Sequence, residues 1–119
     1  MSKSTLFDPT QAGVLHLAEA TQFSDTGIVS RALHDEDGVR MTLFAFAAGQ
    51  QLTEHATPAR AVVQILSGTC EFTLAGKKTP LRAGDLLHMP PGLPHAVVAT
   101  EPFSMLLITV RGRPAAAES

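Results

Sequence analysis

Hydrophobic and polar positions along this chain alternate in short runs broken by turn residues, and almost nowhere at helical spacing. The run TCEFTLA (69–75) shows it best. Cys70, Phe72 and Leu74 fall on one side, and Thr69, Glu71 and Thr73 on the other. Successive side chains of a strand point to opposite faces, so this pattern predicts a strand with one buried face. Further β-rich runs cover 27–33, 39–47, 61–66, 85–89, 95–99 and 103–110. Between them lie HDEDG (34–38), carrying the Asp-Gly pair of a tight hairpin, then Ser67-Gly68, GKK (76–78), PPGLP (90–94) and TEP (100–102). Only VLHLAEATQF (14–23) reads as helix, and its first four residues suit a strand equally well. At least seven strands, spaced about ten residues apart with Gly and Pro turns, predict an all-β sandwich or barrel.

Composition narrows the class. A chain of 119 residues suits one domain with one core, and 45% hydrophobic against 17% charged residues marks it as globular rather than disordered. The net charge of −2, with no basic stripe, argues against a nucleic-acid partner. There is no Trp or Tyr and only six Phe, which disfavours sugar binding and base stacking. The single cysteine, Cys70, cannot form an internal disulfide, which suits a reducing, cytoplasmic location. No run approaches the roughly 18 apolar residues of a membrane span, so no membrane partner is expected. The opening MSKSTLFDPTQ has no apolar stretch behind its lysine, so no signal peptide is expected either. The end, RGRPAAAES (111–119), reads as a flexible tail.

Two stretches carry the candidate chemistry. The first runs Gly49, His55, Thr57, Ala61, Gly68, and the second Gly84, Pro90, Gly92, His95, Ala99. Their spacing resembles the two signature motifs of the cupin superfamily. In that family the first motif carries two histidines two residues apart and then a glutamate, and the second ends on a histidine and an asparagine. Here Gly49, His55 and Gly68 match the first motif, and Gly84, Pro90, Gly92 and His95 match the second. The second histidine maps to Thr57, the glutamate to Ala61 and the asparagine to Ala99. The resemblance, to small single-domain RmlC-like cupins, covers roughly residues 27–110.

It implies an all-β double-stranded β-helix, a jelly-roll barrel in one domain over 27–110, preceded by an N-terminal segment (1–26) with a short strand or helix. It also implies a small-molecule ligand inside the barrel and a homodimer. Family sites hold Fe, Ni, Mn or Zn on three histidines and a carboxylate, a set that leaves a position open for substrate. Only His55 and His95 remain of that set, with His88, seven residues before His95, as a tentative third ligand. The lost glutamate also removes the charge that would offset a divalent metal. Thr57, Ala61, Met41, Met89 and Met105 are the candidate pocket residues. Gln64 has parity opposite to Ala61 and is expected to point outward. Cys70 reads as an inert core thiol, and Asp85 as a turn residue.

The expected function is therefore small-molecule binding in a cupin barrel, with at most a weakly held divalent metal. The alternatives are a metal-free binding, sensing or structural domain, a metal-free acid/base catalyst using His55 or His95, and a metal-dependent dioxygenase or isomerase.

Overall fold

A computed structural model describes residues 5–112. Nine strands follow a single helical turn, α1 (Leu17–Ala20): β1 (Ile28–Glu36), β2 (Val39–Phe46), β3 (Gln51–His55), β4 (Arg60–Ser67), β5 (Thr69–Leu74), β6 (Lys77–Arg82), β7 (Leu86–Met89), β8 (His95–Ala99) and β9 (Phe103–Val110). They form two antiparallel sheets, ordered β1-β2-β9-β4-β7 and β3-β8-β5-β6. The expected all-β, two-sheet jelly roll is present. The Asp37-Gly38 turn closes the first hairpin with both residues at positive φ, the geometry such a pair suits. The notional tail from 113 onward lies outside the described residues.

Two strands escape the hydrophobic pattern, β3 and β6. Both are edges of the four-stranded sheet. Most of their positions face solvent, so no apolar alternation marks them. β6 even contains Pro80, which an edge strand tolerates because one row of its N–H groups needs no partner. The turn placed at GKK is correspondingly shorter: Ala75 and Gly76 make it, and Lys77 already starts β6.

The barrel interior is filled by the inner faces of both sheets. Phe46 and Phe103 are fully buried, and their rings stack with centroids 4.6 Å apart. Val63, Ile65, Phe72 and Val97 close around them. Full burial of an apolar side chain of this size contributes about 2–3 kcal/mol. A second, smaller cluster lies on the outer face of the five-stranded sheet. There the N-terminal segment lays Phe7, Leu15 and Leu17 over Leu33, Leu43 and Leu106. Arg31 fastens it by donating from Nη1 to the Ala20 carbonyl at 2.8 Å. Leu6 and Phe7 donate their backbone N–H groups to Ala32 and Leu33, which protects the edge strand β1.

Cys70 belongs to the inner cluster and is 1% exposed. Burial, and secondarily the carboxylate of Asp85, push its thiol up to about 12 from an ordinary value of 9.0. A raised thiol pKa means that the folded state holds a proton which the unfolded chain releases first. This contribution to stability is full below about pH 9 and is lost as pH rises toward 12. Cys70 is accordingly expected to resist a thiol-exchange reagent at pH 8 and to react fully in denaturant. Rapid labelling of the folded protein would contradict this.

Candidate functional site

β3 ends and β8 begins at the same point, because His55 and His95 are direct partners across the antiparallel pair. A register shift in β3 between Leu52 and His55 brings this about. The PPGLP segment turns tightly, with Leu93 donating to the Pro90 carbonyl at 3.3 Å. Gly92 donates its N–H to the Thr57 carbonyl at 2.8 Å. That bond ties the 90–94 turn to the β3–β4 loop, so both motifs converge on one end of the barrel.

The two imidazoles lie 4.2 Å apart, centroid to centroid, tilted by 58°. Each reaches back two residues along its own strand. His55 Nδ1 sits 2.9 Å from the Thr53 carbonyl, and His95 Nδ1 sits 2.9 Å from the Leu93 carbonyl. A carbonyl only accepts, so each Nδ1 carries the proton and donates it. In the neutral ring this leaves Nε2 as a free lone pair, the arrangement that orients metal-binding or hydrogen-bonding histidines. His95 shares the inward parity of Val97 and Ala99 and is half-buried, whereas His55 is exposed.

Two imidazoles with ring centres at this spacing could serve one ion as neighbouring ligands. Metal–nitrogen bonds of about 2.1 Å at a right angle would set the ring centres roughly 4–5 Å apart. The rest of a metal site does not assemble. Thr57 is committed locally: its hydroxyl donates to the Ala59 carbonyl at 3.3 Å and accepts from the Ala59 N–H at 3.2 Å. Ala61 points inward and is 6% exposed, but it offers only a methyl group. Among the described residues, no three His, Cys, Asp or Glu side chains form a group able to hold an ion. The donor set does not fit a tightly held divalent metal.

The tentative third ligand, His88, is displaced by strand parity. Leu87 and Met89 of β7 face the core, so His88 and Leu86 face outward. There His88 Nε2 meets Arg60 Nη1, across from the backbone of Val62. Either parity of β7 offers apolar side chains, and only the tertiary structure decides between them. Met41 is displaced for a related reason. It lies on the outer face of β2 and packs into the second cluster under the N-terminal segment. Met89 and Met105 do face inward, buried beside Ala61. Gln64 is exposed on the outer face, as its parity requires. Asp85 accepts from the Arg82 backbone N–H at 2.9 Å, a turn role.

A cavity of about 680 Å³ opens along the inner face of the five-stranded sheet at this end. Thr57, Pro58 and Ala59 form one wall, which places Thr57 at its edge. The floor is built by register. Asp35, Arg40, Thr109, Ala61 and Met89 cross the sheet in one row; Ala32, Thr42, Leu107, Val63 and Leu87 form the next. Ser30, Phe44, Met105 and Ile65 make the third, and Ile28, Phe46 and Phe103 the fourth. The face thus grades from charged at the mouth to wholly apolar inside. Thr42, Phe44, Leu107, Thr109 and Arg111 of the cavity wall were not singled out in the sequence. The one legible hint was Thr42, a polar residue within the apolar run VRMTLFAFA.

The family model described as "Cupin domain" matches residues 42–110, more than half of the chain. The chain belongs to the cupin family. A conserved protein of unknown function from Streptococcus pyogenes has a similar structure, with TM-score 0.83 and 32% identity, over 96% of this cupin and 98% of that chain. A cupin superfamily protein from Desulfitobacterium hafniense matches at TM-score 0.79 and 30% identity, over 86% and 94% of the two chains. A cupin 2 conserved barrel domain protein from Leptotrichia buccalis is 35% identical at TM-score 0.78; the match covers 82% of this cupin but 47% of that longer chain. No curated protein matches the sequence. Among the described residues of this cupin, no helix is long and apolar enough to cross a membrane.

Proposed function

We propose that this cupin binds a small organic molecule in the mouth of its barrel and holds a divalent metal no more tightly than two imidazoles allow. The observation that carries this reading is the cavity of about 680 Å³ on the inner face of the five-stranded sheet. Its volume falls within the range of small-molecule sites, roughly 300–1,000 Å³. Its wall sets Phe44 and Leu107 among four hydroxyl and five charged side chains, so apolar contact is concentrated at those two residues and the surrounding polar atoms fix orientation. The His55–His95 pair lies at the same end, two residues from Thr57 of the wall, and presents two free acceptor nitrogens. An oxygenase or isomerase built on a metal needs a third strong ligand, and neither Thr57 nor Ala61 supplies one.

Two measurements test the two halves of the reading. In the first, the metal-free protein is titrated with Zn²⁺ and Ni²⁺ in a calorimeter. Binding at the micromolar level or weaker is expected, on the order of −8 kcal/mol at most, and it should vanish in His55→Ala/His95→Ala. Retention of near-stoichiometric metal through extended dialysis would overturn the weak-metal half. The second is a small-molecule library screened by thermal shift, with hits mapped by NMR. Hits that move the Phe44 and Leu107 resonances are expected. Hits confined to other surfaces, or none at all, would sink the binding half.

A further inference from the structure

Two buried polar side chains interrupt the barrel sheets, Ser104 and Thr42. Ser104 is explained, since its Oγ and that of Ser67 share a hydrogen bond of 2.6 Å. Thr42 is not. It is 8% exposed, yet no protein hydrogen bond reaches its hydroxyl among the described residues. No buried side-chain oxygen there is sealed off without a partner, so the Thr42 hydroxyl is reached from the cavity that the residue lines. A strand position between Ala32 and Leu107 would be more cheaply filled by valine. A hydroxyl kept there has its partner in whatever fills the cavity.

The rim adds a charge preference. Arg40 already faces Asp35, with Nε 4.0 Å from Oδ2. Arg111 lines the same cavity, and no carboxylate among the described residues lies within ion-pair distance of its guanidinium. Glu36 and Asp37, at the hairpin tip, also reach the rim, where three carboxylates stand against two guanidiniums; a single negative group therefore gains only by seating directly on Arg111, and a second one is opposed. Leu107 flanks Thr42 in the same row and Phe44 stands one row deeper, an apolar surface beside the hydroxyl.

We infer that the ligand is a small monocarboxylic acid carrying a hydroxyl or carbonyl group. Its acid lies on Arg111, its second polar group on the Thr42 hydroxyl, and its apolar part against Phe44 and Leu107. Thr42 is then the residue that selects the ligand, because a threonine hydroxyl both donates and accepts and its loss takes away the ligand's partner at the inner end of the cavity. The inference rests on the binding function proposed above and specifies its chemistry.

Three matched probes test it on the full-length, isotope-labelled protein, with affinities read from NMR shifts: 2-hydroxyhexanoate, hexanoate and 2-hydroxyhexanamide. The hydroxy acid is expected to shift Leu107 and Thr109 and to bind about tenfold more tightly than hexanoate, the effect of one hydrogen bond, and about threefold more tightly than the amide, the effect of one exposed ion pair. Thr42→Val should abolish the advantage over hexanoate, and Thr42→Ser should keep it. Arg111→Gln should abolish the advantage over the amide. Equal binding of acid and amide, or undiminished binding by Thr42→Val with shifts still in the cavity, overturns this inference and leaves the barrel as a binding site. No shift in the cavity with any of the three probes also overturns it, while the library screen decides the broader function separately.

Discussion

Thr57→His combined with Ala61→Glu is expected to raise the affinity of this cupin for Zn²⁺ or Ni²⁺ by roughly three to four orders of magnitude, ~4–6 kcal/mol. His55 and His95 are already oriented, with both Nδ1 atoms held by backbone carbonyls, so half of the ordering cost is met before the ion arrives. Position 57 lines the cavity edge two residues past His55. Position 61 points inward on β4, between Met89 and Thr109. A glutamate there supplies the missing negative charge. Without metal, that carboxylate would sit among apolar neighbours, and the double variant should melt lower than the parent. Saturating metal should reverse the deficit, since an ion that binds only the folded state stabilises it by mass action. Calorimetric titration of the double variant, beside the same variant carrying His95→Ala, checks the prediction. Affinity no higher than the parent's would mean that positions 57 and 61 do not face the imidazole pair.

Gly68→Ala is expected to cost roughly 3–5 kcal/mol, a fall of about 10–20 °C in Tm. Gly68 lies between β4 and β5, where the chain leaves the five-stranded sheet and enters the four-stranded one. Its φ is +75°, a backbone region that L side chains rarely adopt. A Cβ here would stand 2.1 Å from the Pro102 carbonyl oxygen and 2.8 Å from the Phe103 Cα. Those neighbours are backbone, and Phe103 cannot retreat because its ring is fully buried against Phe46. The crossing and the core are therefore fixed to each other. Urea denaturation gives the loss directly, and a variant within about 3 °C of the parent would mean that the 100–103 turn yields more easily than this packing implies.

Much of the fold was legible without coordinates. Apolar alternation marked β5, the Asp-Gly pair marked the first hairpin, and Gly and Pro punctuation gave the rhythm of strands. Those signals are local: a strand buried on one face has period two, and a tight turn demands particular residues. β3 and β6 escaped because an edge strand facing solvent needs neither apolar alternation nor a full set of N–H donors, so QLTEH and KKTPLR carry no clear strand signal. The site divided along the same line. Motif spacing led to His55 and His95, and the structure makes them direct cross-strand partners with rings 4.2 Å apart. Spacing could not place His88 or Met41, because β7 and β2 carry large apolar side chains on both faces and period two then gives no clear sign of which face is inside.

The sequence by itself determined that the chain is all-β, that two motif histidines survive, and that the positions of the other imidazole and the carboxylate carry a threonine and an alanine. Each of these is written in residue identity and local spacing. Only the tertiary structure decided which faces of β2 and β7 turn inward, how β1, β2, β9 and β4 align their rows, and that the Thr42 hydroxyl is left with the cavity as its one outlet. Register between strands distant in sequence is set by how whole faces pack, and no single strand contains that information.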